Sequence, residues 1–102
     1  MHQIVVPEKS TITSRVSRQG ADFLRIEIQT GLTLAHIASC GEPDSERRSR
    51  NQANAVKAYQ TVLRFRNRLQ NLDQAVARDI HNGLARLRSA LQELGEDLDS
   101  GW

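Results

Sequence analysis

Between Gln52 and Leu69 the apolar residues Ala55, Val56, Ala58, Tyr59, Val62, Leu63, Phe65 and Leu69 recur at helical spacing. At 3.6 residues per turn they cover roughly half of a helical cylinder. An arc that wide calls for two neighbours, so the pattern predicts a buried middle helix. The remaining surface carries Arg50, Lys57, Arg64 and Arg68 on one stripe, which is expected to face water.

The stretch Ala21 to Cys40 predicts a helix before it. Ala21, Leu24, Ile28, Gly31, Leu32, Ala35 and Ala38 share one face, Phe23, Ile26, Leu34 and Ile37 widen it, and Asp22, Arg25, Gln29 and His36 form the wet side. Gly31 costs about 1 kcal/mol relative to alanine in a helix interior. Its place on the apolar face fits close approach of another backbone, and equally an ordinary tolerated glycine or a local kink. Gly41 is expected to end this helix as a left-handed cap, with Pro43 blocking continuation. Asp44 or Ser45 then caps the middle helix.

After a capping Asn71, the residues Ala77, Ile80, Leu84, Leu87, Leu91, Leu94 and Leu98 advance in alternating steps of three and four, a sustained heptad seam. A connection of two or three residues would force this third helix antiparallel to the second. Gly95 is expected to end it, with the chain fraying after Leu94. The fold class expected is therefore all-α, an antiparallel three-helix bundle over residues 21–98. Residues 1–20 carry no helical stripe and are expected to form a flexible N-terminal arm.

Composition sharpens this picture in two ways. Apolar residues are 38% of the 102 and aromatics only 4%, so one modest core of Leu, Ile, Val and Ala is the expectation. A single cysteine, Cys40, excludes an internal disulfide, and no run approaches the roughly twenty apolar residues that span a bilayer. With no signal-like start, the expected setting is cytoplasmic, with no membrane partner.

Charge changes the picture further, because it is segregated. Residues 44–70 carry seven basic and two acidic side chains, whereas residues 71–102 carry three and six. Arg47, Arg48 and Arg50 sit at the positive end of the middle helix dipole, where cations are unfavourable. Antiparallel pairing would bring Glu93, Glu96 and Asp97 beside them and set the register.

Chemistry is sparse. His36 and Cys40 lie four apart and share a helical face, but two ligands do not make a metal site. No phosphate-binding loop, dinucleotide turn or H-E-x-x-H is present. Nothing nominates a catalytic residue or a cofactor, and the chain is not expected to be an enzyme. The candidate surface is basic: Arg47, Arg50, Lys57, Arg64 and Arg68. It reads as a solvated face or, alternatively, as a phosphate-backbone contact for nucleic acid. The broad apolar faces favour instead a protein partner or a second copy of the chain, possible as a homodimer.

The run Ala55-Val56-Lys57-Ala58-Tyr59-Gln60-Thr61-Val62-Leu63 resembles the second helix of a tetratricopeptide repeat, with Gly31 in place of the small residue of that repeat's first helix. Only one copy is present. A hairpin followed by a third helix is also similar in order to the MIT domain, which binds short helical peptides. Gly31-Leu32-Thr33-Leu34-Ala35 followed by the middle helix resembles small uncharacterised bacterial helical proteins. These resemblances imply a helical interaction module and transfer no site residue.

Overall fold

The computed structural model describes residues 8–68 and 72–98, with side chains from residue 19 onward. It contains three helices, α1 (Glu8–Cys40), α2 (Glu46–Arg66) and α3 (Gln74–Glu93). They pack as an all-α three-helix bundle, as the periodicity predicts. Phe23, midway along α1, meets Phe65 at the end of α2, and Gly31 further along α1 meets Ala58 earlier in α2, so those two helices are antiparallel. Gln52 donates to Glu96 just beyond α3, and Arg88 donates to the Tyr59 hydroxyl, so α2 and α3 are antiparallel too. Contacts of α1 with α3 run in step, from Arg25 with Asp79 to Gly31 with Leu87, and this pair is parallel.

The core follows the predicted faces closely. Ala21, Leu24, Ile28, Ala35 and Ala38 of α1 are buried with Ala55, Ala58, Tyr59 and Val62 of α2 and Ile80, Leu84, Leu87 and Leu91 of α3. In the α3 seam Ala77 is exposed, and Val76, one position earlier, packs on the core in its place.

The hub, however, is α1 rather than α2. Both other helices pack more extensively on α1 than on each other. The reason lies in side-chain size: the buried face of α1 includes Ala21, Gly31, Ala35 and Ala38, which let two helices approach at once. Gly31 sits where all three meet. A Cβ built there would lie 2.8 Å from Leu87 Cδ2 and 3.2 Å from Ala58 Cβ, so of the two readings open at that glycine the close approach is the one realised. Gly83 plays a similar part on α3, where a Cβ would come within 3.0 Å of Ile28 Cγ2. Nothing in the seam pattern marked Gly83 for that role.

The ends of the elements depart from expectation in several places. Helix α1 begins at Glu8 instead of Ala21, so residues 8–20 of the expected arm are helical; residues 1–7 lie outside the described residues. Extending an existing helix adds a hydrogen bond per residue without a new nucleus, so no apolar stripe is needed there. The left-handed residue of the α1–α2 turn is Asp44, with φ 66, and not Gly41; aspartate tolerates that region better than most residues. Ser45 caps α2 as expected, its hydroxyl accepting from Arg48 N at 3.0 Å. Ser45→Ala is expected to cost about 1 kcal/mol, read as a lower urea midpoint with an unchanged slope.

Helix α2 ends at Arg66 and α3 begins at Gln74, further apart in the chain than the connection of two or three residues expected. The cap of α3 is Asp73, which accepts from Ala75 N at 3.2 Å; Asn71 lies outside the described residues. Gly95, with φ 97, does end the third helix. Glu96 N bonds Leu91 O and Gly95 N bonds Gln92 O, both at 3.0 Å, the paired pattern of a Schellman cap. This reversal returns Leu98 to the core at 2% exposure, so the chain does not fray after Leu94 as expected.

Candidate functional surface

Two sides of α1 are apolar. The core side runs through Leu24, Ile28, Gly31 and Ala35, and a second row lies roughly 150° around the helix. That row contains Phe23, Ile26 and Ile37, which are 44%, 63% and 44% exposed. Thr30 lies on the same line and Leu34 at its inner edge, half-buried. The residues expected to widen the core face therefore stand largely outside it. The signal was present, since Phe23, Ile26, Thr30 and Ile37 keep their own heptad-like spacing, separate from the buried set.

The second row borders α2. The Phe23 and Phe65 rings meet edge to face, with centroids 6.2 Å apart and planes at 88°. The Arg68 guanidinium stands 4.9 Å from the Phe65 centroid, within the range of a cation–π contact. Three side chains thus join the apolar edge of α1 to the cationic back of α2 as one surface.

Each residue of the predicted basic surface is exposed: Arg47, Arg50, Lys57, Arg64 and Arg68. Arg50, Lys57 and Arg64 fall at steps of seven residues and form a row about 21 Å long. The apolar row from Phe23 to Ile37 also spans fourteen residues and has the same length, running beside it. Among the described residues none of these five cations lies within ion-pair distance of a carboxylate; the recorded ion pairs are those of Arg25 with Asp22 and Asp79. Two carboxylates border this face: Glu27, half-buried on the α2 side of the apolar row, and Glu46, exposed one turn before Arg50 on the line of the cationic row.

The expected meeting of the basic start of α2 with the acidic end of α3 takes a different form. Gln52 Nε2, and not an arginine, donates to Glu96 Oε2 at 2.6 Å and to Leu94 O at 3.4 Å. Arg48 and Glu93 line one groove at that end of the bundle, so the opposite charges do share a neighbourhood and the register stands.

The other candidates offer less. Cys40 Sγ lies 3.9 Å from His36 Nε2, both exposed, and among the described residues no group of three metal-ligating side chains occurs. A groove of about 420 Å³ separates α2 from α3 over Tyr59, Leu63 and Leu84, edged by Arg66, His81 and Arg88. It marks where those two helices stand apart because each leans on α1. Among the described residues no helix is long and apolar enough to cross a membrane.

What fold and surface define together is a three-helix all-α protein with an apolar row and a cationic row side by side on one face. Compared with protein families, curated proteins and solved structures, the chain finds no match.

Proposed function

We propose that this protein is a protein-protein interaction or assembly module that docks its partner on the edge formed by α1 and α2. One observation carries the reading: Phe23, Ile26 and Ile37 present a linear apolar row to solvent while the core beneath them is already complete without them. Contiguous apolar surface on a protein of this size marks interaction sites more often than scattered single residues do. The helical resemblance of Ala55 to Leu63 points in the same direction.

The test separates surface from fold. Ile26→Ser and Ile37→Ser together are expected to shift stability by no more than about 0.5 kcal/mol each. They should also remove proteins that the parent chain retains when immobilised, quantified side by side by mass spectrometry. Sedimentation of the parent and this variant across micromolar concentrations identifies self-assembly if only the parent gains mass. A set of retained proteins unchanged by the double substitution rejects the reading.

A second reading, contact with a nucleic-acid backbone, is favoured by the row of cations without carboxylate partners. It predicts retention on a single-stranded oligonucleotide that weakens steeply with added salt. Absence of retention at low salt eliminates it.

A further inference from the structure

Resting on the interaction reading above, we infer that the occupant of the α1–α2 edge is an acidic amphipathic helix from a different protein. The edge presents two rows of equal length. Phe23, Ile26 and Ile37 are the apolar row; Arg50, Lys57 and Arg64 are the cationic row, extended by Arg68. A helix lying in the furrow between them, at a usual interaxial spacing of about 8–10 Å from each, touches both. Its apolar residues at i, i+3, i+7 and i+11 would rest on the first row and carboxylates along one flank would meet the second.

Charge selects the sign of that flank. Four exposed cations border the furrow against two carboxylates, Glu27, which is half-buried, and Glu46, which stands one turn before Arg50 at the end of the row. None of the four has a carboxylate within ion-pair distance among the described residues, so an incoming Glu or Asp displaces no existing pair. Complementary potentials of this kind speed encounter and reject wrongly charged partners.

The same charges disfavour a second copy. In an antiparallel two-fold pairing through the apolar row, each flank meets its own equivalent, and the two cationic rows would face one another. In a parallel pairing the cationic row would face the flank of Asp22, Arg25 and His36. The carboxylates there, Asp22 and Asp79, already lie 3.7 Å and 3.2 Å from Arg25.

The experiment uses the full chain and three synthetic helical peptides of about 18 residues, roughly the length needed to span both rows. All three share one leucine stripe, and their flanking positions are Glu, Gln or Lys. Fluorescence anisotropy is read at about 50 mM and about 300 mM salt, conditions that bracket physiological screening. The Glu peptide is expected to bind about tenfold tighter than the Gln peptide at low salt, and the Lys peptide weakest, with the spread narrowing at high salt. Lys57→Glu combined with Arg64→Glu should abolish the preference without lowering the helical circular dichroism signal.

Equal binding of all three peptides, lost in Ile26→Ser, overturns the acidic partner and leaves the docking edge standing. Binding that Ile26→Ser does not weaken, or no binding of any peptide, overturns both. A twentyfold-weaker Glu peptide than a single-stranded oligonucleotide or phosphatidylglycerol vesicles, on the order of 2 kcal/mol, also overturns the assignment and gives the cations to phosphate.

Discussion

Leu87→Ala is expected to lower the stability of the bundle by about 3–5 kcal/mol. Leu87 is fully buried, and its two methyl groups occupy the space that a side chain on Gly31 would otherwise take. Truncation leaves a void facing a residue that has nothing with which to fill it. At about 4–8 °C per kcal/mol for a domain of this size, the midpoint of thermal unfolding should fall by on the order of 12–40 °C. A large fraction of the total stability of a 102-residue chain is at stake.

The geometry also predicts a rescue. In the parent chain Gly31→Ala places a Cβ 2.8 Å from Leu87 Cδ2, and the gain in helix propensity is opposed by that contact. In the Leu87→Ala background the two Leu87 methyl groups are gone, Ala58 Cβ at 3.2 Å is the close neighbour that remains, and the new methyl borders the void. Gly31→Ala should therefore recover up to about 1 kcal/mol there, the propensity difference, and more than it does in the parent chain. Urea unfolding of the four proteins in the cycle measures the coupling; strictly additive effects would show that the two positions do not meet.

Gly31→Val is the second large effect. Its added branches press simultaneously on Leu87 and on Ala58 Cβ, 3.2 Å from the position of a Cβ. One is the side chain of a fully buried leucine and the other is fixed to a helix backbone, so neither yields freely. Overpacking at such a junction is expected to cost about 3 kcal/mol, outweighing the few tenths of a kcal/mol that valine gains over glycine in helix propensity. Calorimetry of Gly31→Val showing the parent midpoint would mean that the three helices do not converge on this residue.

These two substitutions probe a point where periodicity alone left two readings. Gly31 was visible as a small residue on an apolar face, but a single helix cannot say what stands opposite. Gly83 leaves no mark in the heptad pattern, because large residues make that pattern and the glycine contributes only the space that admits Ile28. Asp44 and Gly41 show the same limit in a turn. Both types enter the left-handed region, and only the path between Cys40 and Ser45 decides which one does.

The candidate surface was legible by halves. Arg47, Arg50, Lys57, Arg64 and Arg68 were identifiable as a wet face from their spacing, and all are exposed. Phe23, Ile26 and Ile37 read as core from spacing because they are apolar and periodic, properties that buried and exposed apolar rows share. Their exposure depends on how many neighbours α1 has and where those neighbours stand.

The order of amino acids thus determined the three helices, the buried faces of α1 and α3 and the cationic back of α2, because helical geometry converts spacing into sides without reference to anything else. Tertiary structure decided the rest: that α1 and not α2 is the hub, that Gly95 folds Leu98 back onto the core, and that one apolar row stays outside. Those outcomes arise from contacts between segments far apart in the chain, and the size of a neighbour's side chain, unseen from within one helix, sets which surface it can cover.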